Sequence, residues 1–191
     1  MIKGLIPALC CMATVLAHPA GAQSGRISET RDSFQFSLNG VPVTIERKGR
    51  SCPSDCIQPM QAVRGVATIG ELELLDFLEI FVASGKGLLI DARLPQGFAS
   101  GTVPGAVNVP EATLRPDNPY RDDLLSALGV RGGDFSGAFD LVLFGGGADD
   151  AQAVSALRSL SDSGYPADKL KYYRGGVQAW TALGLSLASG Q

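Results

Sequence analysis

Residues 141–150 read Leu141-Val142-Leu143-Phe144-Gly145-Gly146-Gly147-Ala148-Asp149-Asp150, a short apolar run followed by a polar, glycine-rich loop. Four consecutive apolar residues that end at glycine predict a strand buried on both faces. Val154, Leu157 and Leu160 follow at helical spacing, and Gly164 marks the end of that helix. The stretch therefore predicts a strand, a loop and a helix, with the loop at the carboxyl end of the strand.

Further strands and helices alternate on both sides of this unit. Short apolar runs predict strands at 88–90, 106–109 and 170–173, and helices are expected at 122–128 and through Trp180. Thr68 and Glu71 have the spacing of a capping box, followed by inward-facing positions at helical spacing: Leu72, Leu75, Leu78 and Val82. This alternation predicts an α/β fold with a parallel sheet and helices on both faces. Ligands of such sheets bind beyond the carboxyl ends of the strands, so the loop 145–150 is the first candidate site.

Two motifs flank the central strand. The first comprises Asp91-Ala92-Arg93 and Gly101-Thr102-Val103-Pro104-Gly105-Ala106-Val107-Asn108-Val109-Pro110, and the second is Tyr173-Arg174-Gly175-Gly176-Val177-Gln178-Ala179-Trp180. In this order they resemble the two signatures of the rhodanese family, over a domain spanning roughly 66–187. The signature positions are Asp91, Arg93, Gly105, Asn108, Gly175, Gly176 and Trp180. The resemblance implies a rhodanese-like fold and a sulfurtransferase that carries sulfur as a cysteine persulfide, with the cysteine opening the loop after the central strand.

The chain departs from that pattern where the chemistry would occur. Gly145 stands at the position of the nucleophile, and no cysteine occurs after residue 56. Asp149 and Asp150 stand where the family often has arginine, and like charge repels an anionic sulfur donor. Gly97 and Thr102 replace the usual glutamate and histidine of the first signature. Glycine has no side chain to carry sulfur, so the sequence predicts a pseudoenzyme.

The degenerate loop has three interpretations. The backbone N–H groups of Gly145, Gly146 and Gly147 could bind a ligand without chemistry. Asp149 or Asp150 could cap the following helix, since aspartate is favoured at helix starts. The two carboxylates could also bind a cation, although two acids without further ligands are a weak signal.

Cys52 and Cys56 form the other chemically suggestive segment. Two cysteines four residues apart in an exported protein indicate a disulfide that holds a loop. A redox or sulfur-relay role is the second interpretation, although the spacing is not C-x-x-C. The third is Cu(I) held by both thiolates and the Met60 thioether, since soft ligands suit that ion.

The N-terminus has the pattern of a secretory signal peptide. Lys3 precedes the apolar run 4–17, and Ala20-Gly21-Ala22 is a cleavage site, so residues 1–22 are expected to be removed. Cleavage would remove His18, the only histidine, which excludes Ser-His-Asp and Cys-His catalysis in the mature chain. The protein is therefore expected to be periplasmic or secreted, with no membrane span after cleavage. A net charge of -3 argues against nucleic acid as a partner.

Residues 23–65 form an N-terminal unit before the domain. Phe34, Phe36 and Leu38 alternate with polar residues, and apolar residues alternate again from Val41 to Ile45 after Asn39-Gly40. This pattern predicts a β-hairpin with a type I′ turn. Residues 23–33 are expected to be a flexible lead-in, and the segment with both cysteines is expected to link the hairpin to the domain.

The sequence thus favours an exported rhodanese-like module that binds an unknown periplasmic protein or thiol partner, through the loop surface or the hairpin, and needs no cofactor. The alternative is a sulfurtransferase or thiol-redox enzyme that uses Cys52 and Cys56. A further alternative is copper handling by the same cysteines and Met60.

Overall fold

The computed structural model describes residues 24–49, 52 and 55–190. The expected signal peptide, residues 1–22, lies outside this part of the chain. The N-terminal sheet contains β1 (Ser24–Gly25), β2 (Ser33–Leu38) and β3 (Val41–Lys48), in the order β1-β3-β2. All of its strand pairs are antiparallel.

The predicted hairpin is confirmed. β2 and β3 pair from Ser33 opposite Glu46 to Leu38 opposite Val41. Asn39 has φ 52° and Gly40 has φ 80°, so both turn residues are left-handed, as a type I′ turn requires. The flexible lead-in was wrong in part, because β1 pairs with the end of β3 and residues 28 and 31 form a further bridge. Two residues are too few to show the alternating pattern that predicts a strand from sequence.

The central sheet has five strands: β4 (Ala67–Ile69), β5 (Gly87–Asp91), β6 (Ala106–Asn108), β7 (Asp140–Phe144) and β8 (Leu170–Tyr173). Their order is β4-β8-β7-β5-β6, and every pair is parallel. β7, the predicted central strand, lies in the middle. The parallel α/β fold expected from the sequence is confirmed, and β4 is an edge strand that the sequence reasoning missed.

Five helices connect and cover these strands: α1 (Glu71–Phe77), α2 (Pro95–Ala99), α3 (Arg121–Ala127), α4 (Gln152–Asp162) and α5 (Gly176–Ala182). A π-helical turn, Leu78–Val82, extends α1, and short 3₁₀ turns cover Glu111–Leu114 and Ala167–Lys169. None of the helices in the described part of the chain is long and apolar enough to cross a bilayer.

Both faces of the sheet carry an apolar core. Along β7, Leu141 and Leu143 face a cluster that includes Leu157 of α4, whereas Val142 and Phe144 face the opposite cluster. All four of these β7 side chains are fully buried. Successive side chains of a strand point to opposite faces, so a continuously apolar strand requires cover on both sides. The carboxyl end of β7 is thereby held between two packed layers.

The start of α1 differs from the expectation. Thr68 lies in β4, where its partner in β8 is Tyr172, so its backbone is extended and the capping box moves two residues along. The backbone N–H of Gly70 donates to Glu73 Oε2 at 3.0 Å instead. The buried face also differs: Leu74 and Phe77 are buried, whereas Leu72 and Leu75 are exposed. Helical spacing alone is compatible with either pair as the buried face, and packing against the sheet determines that Leu74 and Phe77 are buried.

Candidate functional site

The loop Gly145–Asp150 joins the carboxyl end of β7 to α4, as the sequence predicted. The first turn of α5 holds its beginning in place. Val177 N–H donates to the carbonyl of Gly145 at 3.2 Å, and Gln178 N–H donates to the carbonyl of Gly146 at 2.9 Å. The second signature therefore contacts the loop directly, and it fixes the positions of the two residues that follow β7.

Gly176 makes this close approach possible. Its φ is +57°, and a Cβ there would lie 2.5 Å from the carbonyl oxygen of Gly145 and 2.8 Å from the nitrogen of Gly147. An alanine would thus adopt a strained backbone conformation. Its Cβ would also clash with backbone atoms of the loop, which cannot move aside as a side chain could. The glycine at this signature position serves the packing of α5 against the loop.

The Asp150 carboxylate occupies the inside of the loop. Its Oδ2 accepts from the backbone N–H of Gly146 at 2.5 Å, and its Oδ1 accepts from the N–H of Gln152 at 2.7 Å. A Cβ on Gly145 would lie only 2.8 Å from Oδ2. The Gly146 amide, which could otherwise stabilise an anionic ligand, is therefore directed at the chain's own carboxylate. Asp150 also bonds the first turn of α4, although the residue at the N-cap position is Ala151.

Asp149 points away from α4 and towards the N-terminal sheet. Its Oδ2 lies 2.5 Å from Nη2 of Arg47, at the end of β3, and both side chains are mostly buried. Arg47 also donates to the backbone carbonyl of Asp55. The second carboxylate oxygen, Oδ1, is buried without a hydrogen-bond partner among the described residues. The two adjacent carboxylates thus bind different groups, Asp149 the Arg47 side chain and Asp150 two backbone amides. Within the described ranges, no three potential metal-ligating side chains lie together.

The cysteine-containing linker lies over the loop. Gln58 N–H donates to the carbonyl of Ala148 at 2.8 Å, and Nε of Arg174 donates to the carbonyl of Gln58 at 2.9 Å. The side chain of Gln58 donates to the carbonyl of Cys56 at 2.9 Å, and Gln58 is buried. The sequence reasoning missed Arg47, Gln58 and Arg174 as neighbours of the loop, because long-range contacts leave no local pattern.

Asp91 and Arg93 of the first signature form a buried network rather than an open site. Nε and Nη2 of Arg93 donate to the Asp91 carboxylate at 2.9 and 2.6 Å, and Nη2 also donates to the carbonyl of Gly101 at 2.7 Å. Thr102, at the position where the family usually has histidine, donates to Asp91 Oδ2 at 2.7 Å. Asn108 donates to the carbonyls of Asp91 and Arg93, both at 2.9 Å. These residues position the backbone after β5.

The remaining signature residues have structural contacts. Gly105 has φ +84°, which glycine adopts without strain. A Cβ on Gly175 would lie 2.8 Å from the Cβ of Ala179. Trp180 donates from Nε1 to the carbonyl of Ser186 at 2.8 Å and meets the ring of Tyr173 edge to face. The signatures therefore support the loop from outside and contribute no nucleophile to it.

Cys52 and Cys56 form a disulfide, with their Cα atoms 4.7 Å apart. In this state the two sulfurs bond each other, so they offer no thiolate pair to Cu(I). Met60 is exposed. Cys56 is buried, and Ile57 N–H donates to the carbonyl of Ile27 at 3.1 Å, beside the N-terminal sheet. A ring this small is expected to contribute about 2 kcal/mol to stability in the chain-entropy model.

Two buried tyrosines lie below this region and were not singled out from the sequence. The Tyr172 hydroxyl has no hydrogen-bond partner among the residues that the structure describes. Burial raises the pKa of Tyr172 to about 12. The positive charge of Arg174 lowers this pKa, and the negative charge of Asp150 raises it further. The Tyr173 hydroxyl donates to Glu71 Oε1 at 2.9 Å, and burial raises its pKa as well. Both phenols therefore remain protonated at neutral pH and cannot serve as bases there.

A cavity of about 370 Å³ opens beside the loop at the carboxyl edge of the sheet. Leu94, which follows β5, is exposed at its rim. Glu111 on its wall accepts from Arg115 at 2.8 and 2.9 Å and from Ser155 at 2.8 Å. The hydrogen bond from Arg115 is the main reason why the pKa of Glu111 is lowered. The cavity is open to solvent, in contrast to the covered loop.

Comparison with solved structures shows the same fold. The BH2092 protein of Bacillus halodurans is 14% identical, with a TM-score of 0.50, and the match covers 64% of this chain and 77% of that protein. A protein of unknown function and possible tyrosine phosphatase, RPA3614 from Rhodopseudomonas palustris, is 18% identical with a TM-score of 0.49, covering 67% of this chain and 89% of that one. A thiosulfate sulfurtransferase of Pseudomonas aeruginosa is 22% identical with a TM-score of 0.47, and the match covers 69% of this chain but 22% of the sulfurtransferase.

The family itself follows from a match across more than half of the chain. No curated protein matches this sequence. The family model described as "Rhodanese-like domain" matches residues 76–183, which include β5 to β8, the loop and both signatures. The chain therefore belongs to the rhodanese-like domain family.

Proposed function

We propose that this protein is an exported, catalytically inactive rhodanese-like module that acts by binding a partner at the carboxyl edge of its sheet. One observation carries the proposal: the Asp150 carboxylate accepts the Gly146 amide hydrogen bond and lies where a side chain on residue 145 would begin. At the position after the central strand, where the family resemblance implies the nucleophile, a side chain would therefore require the Asp150 carboxylate to move.

The charges around the loop support the same conclusion. Asp150 places negative charge inside the loop, which disfavours a dianionic sulfur donor at close range. Arg47 is paired with Asp149. The Nε of Arg174 is directed at the carbonyl of Gln58. Arg47 is thus neutralised within the chain, and Nε of Arg174 is already hydrogen-bonded.

The open cavity beside the loop supports binding as the remaining function. It presents an exposed apolar residue, Leu94, next to the Glu111–Arg115 ion pair and Gln152. An apolar anchor with a polar rim suits a protein surface better than a small anion. We expect a periplasmic protein as the partner.

Two measurements on the mature protein separate a binding module from an enzyme. Thiosulfate:cyanide sulfur transfer is expected to stay at the background rate. A photo-cross-linking amino acid in place of Leu94 is expected to capture one defined protein in the cell envelope, whereas the same group at Ile80, exposed near the amino edge of the sheet, is not. Transfer above background, or equal capture from both positions, would overturn the proposal.

A thiol-redox or sulfurtransferase role for Cys52 and Cys56 is the alternative. Cys56 is buried, so an attacking thiolate would have access mainly to the Cys52 sulfur, and attack on that one sulfur is sufficient for exchange. Transfer or thiol exchange that is lost in the Cys52→Ala/Cys56→Ala variant would support this alternative. A merely structural disulfide would leave the wild-type protein inactive in both assays.

Export is proposed from the A-x-A cleavage site alone. Protein recovered from the periplasm or the medium is expected to begin at Gln23, and intact-mass analysis is the direct measurement. A mature chain that still begins at Met1 would contradict export by this route and remove the support for an oxidising compartment.

A further inference from the structure

One face of the N-terminal hairpin is apolar from the turn to Phe34 and Ile45, and only Arg47, at the base of β3, interrupts it by reaching to Asp149. The cross-strand pairs Phe34 with Ile45, Phe36 with Val43, and Leu38 with Val41 place six apolar side chains on the same side of β2 and β3. The rings of Phe34 and Phe36 are stacked, with their centroids 5.8 Å apart. The opposite face carries mostly polar side chains: Ser33, Gln35, Ser37, Thr44 and Glu46. The hairpin is therefore amphipathic, like a strand pair that packs against another layer.

That other layer is not found among residues 24–49, 52 and 55–190. Phe34 and Phe36 are 41% and 40% exposed, and Leu38, Val41 and Ile45 are exposed by 57%, 61% and 51%. Together the face leaves about 500 Å² open, close to the largest patch on an ordinary monomer. A two-stranded hairpin is itself marginally stable in water. Both facts indicate that the face is covered in the functional protein.

We propose that a second copy of this chain covers it, with the two apolar faces stacked about a two-fold axis. Face against face, two hairpins would remove about 1,000 Å² from water, which reaches the lower limit for a specific interface. Stacked sheets lie about 10 Å apart, a distance that these side chains can fill. The same patch on both partners forms a closed, isologous contact that does not propagate into filaments.

The distribution of charge fits a second copy. Residues 37–44, at the tip, carry no charged side chain, whereas charged side chains of both signs lie at the base: Glu29, Arg31, Asp32, Glu46, Arg47 and Lys48. Arg31 lies over the ring of Phe34, 5.3 Å from its centroid. When two hairpins stack in opposite directions, the charged end of each meets the uncharged tip of the other. The two Arg31 side chains are then separated by roughly the length of a six-residue strand, about 20 Å, so like charges do not meet.

This dimer is independent of the function proposed for the carboxyl edge. The mature wild-type protein is expected to sediment as a dimer at micromolar concentration. Phe36→Asp would place a charge at the centre of the stacked faces and is expected to weaken dimerisation at least about 100-fold. Gln35→Asp adds the same charge one residue away, on the polar face, and is expected to remain dimeric. The circular dichroism of both variants checks that the domain stays folded.

A second measurement does not depend on the stability of the Phe36 variant. Val43→Cys lies near the proposed two-fold axis, and a short bis-maleimide is expected to link two such chains efficiently, whereas Thr44→Cys on the other face is not linked. A monomeric wild-type protein would overturn the proposal, and so would a dimer that Phe36→Asp leaves intact. A monomer that forms a complex only with a different protein would assign the apolar face to that partner instead.

Discussion

The Gly145→Cys variant is expected to remain at the background rate of sulfur transfer, whereas Gly145→Cys/Asp150→Ala is expected to form a persulfide. A Cβ at residue 145 would already lie 2.8 Å from Asp150 Oδ2, so the new thiol would meet a carboxylate. The carboxylate would crowd the new side chain, and its negative charge would disfavour ionisation of the thiol to the thiolate. Removing the carboxylate frees the space and the Gly146 amide that Asp150 now occupies.

The reaction of the double variant can be followed as a defined transfer. The thiolate introduced at position 145 would attack the outer sulfur of thiosulfate, forming a sulfur–sulfur bond as sulfite leaves. Cyanide would then take that sulfur as thiocyanate and return the thiolate. Intact mass detects the added sulfur atom, and thiocyanate formation gives the rate. We expect the double variant to exceed the single variant by about tenfold or more, which corresponds to one relieved contact of about 1.4 kcal/mol.

Gly145→Cys/Asp149→Ala is the matched control. It removes one carboxylate from the loop but leaves the Asp150 carboxylate beside residue 145. It also leaves the mostly buried Arg47 without its counter-charge, so unfolding of this variant should be measured as well. This control is expected to stay near background, which separates occupation of the loop from net charge. Asp150→Ala also removes the bond to Gln152 N–H, so a loss of about 1 kcal/mol in stability is expected and unfolding should be measured alongside. Equal activity of the single and double variants would show that Asp150 does not obstruct the site.

The sequence predicted the central part of the fold because its strands are buried on both faces. The four apolar residues from Leu141 to Phe144 predict a buried strand, and the next residue, Gly145, therefore lies at the carboxyl end of that strand. The hairpin could be predicted equally well, since Asn39-Gly40 at a two-residue turn allows few other conformations. These features depend on local pattern, and local pattern is what a single sequence contains.

The contacts that the N-terminal sheet and the cysteine-containing linker make with the loop could not be predicted in the same way. Arg47 and Asp149 are separated by 102 residues, and neither has a neighbour in sequence that marks it as one half of an ion pair. Asp150 was considered as a helix cap, but its bond to the Gly146 amide depends on how the loop folds back. The apolar face expected for α1 and its extension was wrong in part, for a related reason. Leu78 and Val82 pack against the core, but the choice between Leu72 and Leu74 depends on the sheet that the helix meets.

The largest loss of stability is expected for Asp91→Ala. The Asp91 carboxylate is fully buried and accepts from both Arg93 and Thr102, so its removal leaves a largely buried guanidinium without its counter-charge. Breaking a buried pair in this way costs about 3–5 kcal/mol. Because the Arg93 side chain also holds the Gly101 carbonyl, the segment between β5 and β6 should loosen as well. For a domain of this size the midpoint of thermal unfolding should fall by roughly 10 °C, which calorimetry can measure together with a urea titration.

Asp32→Ala provides the control for this last expectation. Asp32 also pairs with an arginine at 2.6 Å, Arg26, but its side chain is 80% exposed and that of Arg26 is 47% exposed. Water screens this pair in the folded state and solvates both groups after the substitution, so the loss should stay below about 1 kcal/mol. Both variants remove one carboxylate from one arginine, and Asp91 also loses the hydrogen bond from Thr102, so the contrast reflects burial together with that additional bond. If the two variants unfolded at similar temperatures, the Asp91–Arg93 network would not be what holds the first signature in place, and the backbone pairing of β5 with β6 and β7 would have to supply that stability instead.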